Sequence, residues 1–429
     1  MLFLANVLEL NGGTTFILRV AKEYAARGKR VGVLVMFDMV DRKLEEQLSV
    51  YADIYRLRSY SRCVPSFVFK SQLGTFMPLD FPAISEVVQR HGGHIHAMGV
   101  FGILLLRRMV AAKVALTGVS FGIYHQNEIM YRDVPAYFSD KAQALFARLP
   151  SAGVVFFNEH NQRSHAQFFS RNYDASPILP IGVELPAWTG RSIGSSDSLR
   201  IVSIGNLHPF KAYNAHIIRM LNRLSNSRPG IRYEIYGAGI NESALRDLVK
   251  EHDVEHLVDF KGVIGYADIP KVLSGSFAFI GSGTSIIESS ALGIPSIVGI
   301  ESIQAPMTYG LFSKVKGFSY NEMGADIPLV SIEDTLISLN RAEDWEVASA
   351  GCRSKAEEFS IARTVDGFER VAEDANELLE FKALPYSNVR ALLSFLLWGF
   401  KERSGKSSAF SMRREQGTLT NVHGVQQGA

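Results

Sequence analysis

Cysteine is nearly absent. Cys63 and Cys352 are the two in 429 residues and lie far apart in sequence, so they form neither a disulfide framework nor a metal-ligand spacing, which suits a reducing compartment. Both are expected to be core or incidental residues. Charge of one sign is missing as well: 45 basic against 43 acidic residues leave a formal net charge of +2, without the basic footprint of a nucleic-acid binder. Long apolar runs are lacking too. The best candidate, residues 99–118, is interrupted by Arg107, Arg108 and Lys113, and reads as an amphipathic helix packed on a sheet, not as a membrane span. The opening Met1-Leu-Phe-Leu-Ala-Asn-Val7 carries no basic leader and no cleavage site and runs into a glycine turn, which predicts a first strand in a cytoplasmic protein.

What is present is alternation. Apolar runs at residues 2–7, 30–37, 94–98, 118–124 and 153–157 are separated by helical patterns at 14–27, 81–91, after 99 and at 140–148, the signature of βαβ units on a parallel sheet. Between 185 and 198 glycine, serine and proline punctuate without period, which places a linker there. The alternation restarts with strands expected at 200–204, 232–236, 257–260, 277–280 and 296–300 and helices between them. The expected fold class is α/β with two Rossmann-like domains, 1–184 and 199–383, whose intervening cleft would hold a ligand. An amphipathic helix is expected over 386–403, and a disordered polar tail over 404–429.

Four stretches carry candidate chemistry. In Ser203-Ile-Gly205-Asn206-Leu-His-Pro-Phe-Lys211 a strand ends in a glycine turn and a lysine precedes a helix. A fixed cation there would stabilise the charge that develops on a leaving diphosphate; a solvated lysine at a helix start is the plainer alternative. In Gly281-Ser-Gly283-Thr284-Ser285-Ile-Ile-Glu288 a glycine-rich turn opens a helix, so its free N–H groups suit a phosphate. Glu288 is then placed to accept from ribose hydroxyls, while Ser285-x-x-Glu288 also reads as a capping box. The pair Gly237 and Gly239 ends another strand, and Gly12 and Gly13 open the first helix; both read either as phosphate contacts or as ordinary turns.

Taken in order, Gly205-x-Leu207-x-Pro209-x-Lys211, Ile235-x-Gly237-x-Gly239, Phe260-x-Gly262 and Glu288-x-x-Ala291-x-Gly293-x-Pro295 resemble the family-4 retaining glycosyltransferases. The likeness is close over residues 200–300 and looser over 11–30 and Leu179-Pro-Ile-Gly-Val183. It implies a GT-B fold, two Rossmann-like domains with parallel sheets facing a cleft and a C-terminal helix, with the first domain on the acceptor side and the second binding a nucleotide sugar. It implies retention of anomeric configuration without metal or other cofactor, Lys211 on the donor diphosphate and Glu288 on the ribose. Two positions depart from the family. Asn206 stands where arginine is usual, and Ile280 where the first of two paired glutamates is usual, which leaves the amides of residues 281–284 to meet the sugar.

On the first-domain side, His125 in Tyr124-His-Gln-Asn-Glu128 ends a parallel strand, where ligands bind in such sheets. It is the candidate to face donor sugar and phosphate, with His94 and His96 as second choices and Glu128 as an acceptor contact or a surface residue. The expected partners are a nucleotide-sugar donor, a saccharide or lipid-linked acceptor of surface polysaccharide assembly, and a membrane surface met through the apolar, basic-edged residues 389–403. The alternative for that segment is a helix packed back on the first domain. Two other functions fit the same residues: an inactive partner subunit of a transferase, and a nucleotide-sugar epimerase.

Overall fold

The computed structural model describes residues 1–404 apart from 10–11, 62, 131–135, 188–189, 191, 325–326 and 375–377, so the tail expected over 405–429 lies outside the described residues. The described chain divides into two compact units, one made of Met1–Leu179 with Ile361 onward, the other of Pro180–Ser360.

The first unit is built on six parallel strands: β1 (Leu2–Ala5), β2 (Val31–Val35), β3 (Ala52–Arg56), β4 (His94–Met98), β5 (Gly118–Ile123) and β6 (Val154–Phe156), in the order β3-β2-β1-β4-β5-β6. β1, β2, β5 and β6 are buried along their whole length, as expected where helices cover both faces of a parallel sheet. The exception is β3, which the sequence did not disclose. It is a half-buried edge strand, and its Asp53 pairs with Arg30 at 2.6 Å, so it shows neither a continuous apolar run nor clean alternation.

The helix Gly99–Ala111 is buried on nearly every side, which a helix lying on a sheet becomes only when something covers its outer face. The helix Asn388–Arg403 covers it. Phe395 packs against Phe101 at 5.4 Å, Phe138 at 5.4 Å and Phe76 at 5.6 Å between ring centroids, and Arg107 donates to the carbonyls of Lys382 and Leu384. On the other face of the sheet, helix Ile361–Glu373 lays Phe368 against Phe3 and His96. Its Asp366 and Glu369 take Arg27, and Glu369 also takes Lys29 at 2.7 Å.

These contacts correct the expected division at 199–383, because residues 361–383 complete the first sheet's layers and not the second's. Periodicity shows that a helix has an apolar face without showing which sheet receives it. The expected linker at 185–198 is corrected too. Ile193 donates to the carbonyl of Leu292 and Ser195 to that of Ser276, so residues 192–198 are packed on the second unit, and the chain passes between units at 179–180 and again at 360–361.

The second unit carries β7 (Arg200–Ile204), β8 (Arg232–Tyr236), β9 (Val258–Gly262), β10 (Ala278–Gly281) and β11 (Ser296–Val298), all parallel, in the order β11-β10-β7-β8-β9. The strand positions agree with the sequence reading to within a few residues. With β7 central, the segments leaving β7, β8, β10 and β11 emerge along one edge of the sheet, where parallel sheets bind ligands.

Candidate functional site

The segment leaving β7 is fixed by hydrogen bonds that prolong the β7–β8 pairing. Gly205 donates to the carbonyl of Tyr236 at 3.0 Å and Leu207 to that of Ala238 at 3.0 Å, with the Leu207 side chain buried. This close approach accounts for Gly237 and Gly239 without a ligand. A Cβ on Gly237 would overlap the carbonyl oxygen of Gly205, and one on Gly239 that of Leu207.

The same turn brings Lys211 back over Gly205. The Lys211 Nζ lies 2.9 Å from where a Gly205 Cβ would stand, and Gly205 has φ of 153°, so a side chain at 205 would collide with the ammonium. Lys211 is half-buried; its backbone N–H donates to the His208 carbonyl at 2.9 Å, and its ammonium has no hydrogen-bond or salt-bridge partner among the described residues. A half-buried cation without a neutralising partner is poised for an anion that arrives from outside.

Beside it stands the turn after β10. Gly283 caps helix Thr284–Ala291 with φ of 69° and ψ of −151°, a backbone conformation that side chains other than glycine's disfavour. Its N–H donates to Asn321 Oδ1 at 3.0 Å and its carbonyl accepts from Tyr320 at 3.0 Å, so the turn is pinned on both sides. The Ser285 hydroxyl donates to the carbonyls of Ile204 at 3.0 Å and Ser282 at 3.1 Å, tying this turn to the end of β7 and so to the Lys211 loop. The capping-box reading of Ser285 and Glu288 is therefore corrected. The helix begins one residue before Ser285, its cap is Gly283, and no side chain caps it. The first-turn amides of Thr284 and Ser285 have no partner within the helix.

Glu288 is buried, and its Oε1 accepts from the Tyr266 hydroxyl. Asn206 is exposed. Around Glu288 and Lys211 gather residues that the sequence reading missed: Glu301, Tyr320, Asn321 and Glu322. Glu301 Oε1 accepts from Ser282 Oγ at 3.3 Å. Burial pushes its carboxyl above the ordinary glutamate range while the Lys211 charge pulls it back down. Glu322 is pushed up to about 7, first by burial and then by the charge of Glu301. Burial also raises Tyr320, with the charges of Glu322, Glu301 and Glu288 acting in the same direction. A signal for Glu301 was available. β10 and β11 pair in parallel through Gly281 and Val298, and Gly299 donates to the Gly281 carbonyl, so a residue just past the end of β11 must lie beside the 281–283 turn.

In the first unit, Gly12 and Gly13 open helix Gly12–Ala26 and are exposed, with open space where a Gly12 Cβ would point. His125 is exposed, in the loop after β5. Glu128 is not a surface residue: it is buried and accepts the backbone N–H groups of Tyr124 at 2.8 Å and His125 at 3.2 Å. His94 and His96 are interior. They share the Ser120 hydroxyl, and His96 continues to the Tyr124 hydroxyl at 2.8 Å. Burial above all lowers them, to about 4 and about 3, so both are neutral members of a buried chain of hydrogen bonds. Cys63 is exposed and Cys352 buried, both free.

Two Rossmann-like units of this topology, with glycine-bearing turns along one sheet edge of the second, define the GT-B class of fold, which the solved structures share. The chain aligns with HepE from Anabaena in complex with UDP-glucose at a TM-score of 0.57, with 14% identity over 87% of this chain and 98% of that one. It aligns with a variant of Staphylococcus aureus TarM in complex with fondaparinux, alpha-GlcNAc-glycerol and UDP at a TM-score of 0.58, with 12% identity over 87% and 99%. Among curated proteins it is 22% identical over 215 residues to a Salmonella typhimurium protein provisionally described as the colanic acid biosynthesis glycosyltransferase WcaL. That match covers 45% of this chain and 51% of the relative, so the chain spans about half the length of the curated relative it matches. No protein-family model matches the chain.

Proposed function

We propose that the protein transfers a sugar from a nucleotide-sugar donor to a saccharide or lipid-linked saccharide acceptor, with retention of anomeric configuration and without metal. The work would be done in the cytoplasm, at the inner face of the membrane, in surface polysaccharide assembly. The observation that carries the reading is the unpartnered Lys211 ammonium over Gly205, beside the Gly283-capped helix. A cation and a helix N-terminus, held together by the Ser285–Ile204 hydrogen bond, form a preorganised receptor for a diphosphate. The relatives favour this chemistry, since HepE holds UDP-glucose and WcaL is placed in polysaccharide biosynthesis.

In this reading Lys211 and the Thr284 and Ser285 amides hold the diphosphate, Gly205 and Gly283 let it approach the main chain, and Glu288 accepts from the ribose. Glu301 cannot face phosphate without repulsion, so it accepts from the donor sugar's hydroxyls, the contact that Ile280 does not make. His125, Gly12 and Gly13 are the first unit's own ligand candidates. The acceptor oxygen bonds to the anomeric carbon on the face from which the nucleoside diphosphate departs. The carbon–oxygen bond to the diphosphate breaks, and the hydroxyl proton passes to the departing phosphate oxygen. Charge on that oxygen grows through the step, and Lys211 stabilises it more in the transition state than before.

The test is a screen of UDP-, GDP- and ADP-sugars by thermal shift and slow donor hydrolysis. One nucleotide class should stabilise the protein, and Lys211→Ala should slow hydrolysis by about two to three orders of magnitude with little change in unfolding temperature. No response to any donor would sink the reading in favour of an inactive partner subunit. Conversion of the donor without an acceptor or hydrolysis would point to the epimerase.

A further inference from the structure

The helix Asn388–Arg403 has two apolar faces, and the first unit accounts for one. Ala391 and Phe395 are buried, with Leu392 and Trp398 packed against the same core. On the opposite side Val389, Leu393, Leu396, Leu397 and Phe400 are between 47% and 77% exposed. At about 100° per residue these five fall within an arc of about 100° along the helix. Scattered apolar residues on a surface need no explanation, but a continuous stripe of this size does.

The charges beside the stripe identify its occupant. On the same helical projection Arg390 and Lys401 border one edge and Arg403 the other, all three exposed, while Glu402 falls on the packed side. Beyond the helix the sequence adds Lys406, Arg413 and Arg414 against the single acid Glu415. A second copy laid stripe to stripe would bring these cations against one another. An apolar face bordered on both edges by cations instead matches an anionic bilayer, where the side chains enter the acyl boundary and the basic groups stay at the headgroups.

We propose that this helix docks the protein on an anionic lipid surface, lying in the plane of the membrane with Leu393, Leu396, Leu397 and Phe400 inserted. No helix among the described residues is long and apolar enough to cross a membrane, so the attachment is peripheral and weakened by salt. The inference rests on and deepens the membrane location given in the proposed function, but vesicle binding needs no donor, so its test fails or succeeds separately from sugar transfer.

The test is flotation of the full chain with vesicles of phosphatidylcholine alone and with vesicles rich in phosphatidylglycerol, at low and high salt. The protein should float with the anionic vesicles, and Leu397→Ser combined with Phe400→Ser should weaken binding by about tenfold or more while leaving the thermal midpoint unchanged. Arg390→Glu with Lys401→Glu should remove the preference for anionic lipid. Equal binding to neutral vesicles, or undiminished binding by the serine variant, would overturn the proposal. So would a stable dimer that the serine variant dissociates, which would give the stripe to a second copy.

Discussion

At the scale of single residues, the second unit's ligand edge is a problem of charge. Lys211 reaches the space above Gly205 with no salt-bridge partner among the described residues, while its charge acts on Glu301, which accepts from the Ser282 hydroxyl. Burial, and after it the charge of Glu301, makes the Glu322 carboxyl harder to ionise. This has a sign that can be measured. Glu322 is raised from an ordinary value of 4.5 to about 7 in the folded chain, so the unfolded chain loses its proton first as pH rises. Stability is therefore full below the unfolded value and falls as pH climbs through that window. Glu322→Gln should flatten the decline, so thermal midpoints of the two proteins should diverge between pH 4.5 and 7 and run parallel above it. Parallel curves throughout that window would show that the Glu322 carboxyl is solvated.

At the scale of elements, glycines that look alike in a motif do different things. Gly237 and Gly239 are demanded by the main chain that crosses them, whereas Gly12 opens a helix into empty space. Gly237→Ala should destabilise the protein by about 1–3 kcal/mol, the range for overpacking, because the backbone oxygen of Gly205 cannot yield like a side chain. Gly12→Ala should leave the thermal midpoint within experimental error and act only on the donor or acceptor KM. Denaturant melts of both variants beside donor kinetics separate the two roles, and a Gly237→Ala protein of unchanged stability would return that glycine to the ligand. The elements themselves were largely legible. Strands such as Arg200–Ile204 and Arg232–Tyr236 announce themselves by apolar runs between glycine turns. The half-buried edge strand Ala52–Arg56 and the polar helix Glu159–Phe169 carry too weak a pattern to stand out.

At the scale of the whole molecule, the first unit is discontinuous in sequence. Its core draws on Leu378, Phe381, Leu384, Ala391 and Phe395, and its other face on Phe368. The second unit's two apolar clusters lie wholly within residues 180–360. A fragment of residues 180–360 should therefore unfold cooperatively by itself. Residues 1–179 alone should lack a fixed near-ultraviolet circular dichroism signal and gain one when 361–429 is supplied. A cooperative melt of 1–179 by itself would show that the returning helices only decorate its surface.

The sequence by itself determined the two Rossmann-like folds, the parallel strands and the places of Lys211, Gly283 and Glu288, because periodicity and turn chemistry are local and are written in consecutive residues. It left open which glycines serve the backbone, and it gave Glu301, Tyr320 and Glu322 no motif to belong to. Those were decided by tertiary structure, because Glu301, just past β11, and the loop that carries Tyr320 and Glu322 meet the 281–283 turn only in the folded chain. The same holds for the C-terminal helices. Two apolar faces can be counted from the sequence of 388–403, but only packing against Phe76, Phe101 and Phe138 shows which is satisfied inside the protein and which is left for something else.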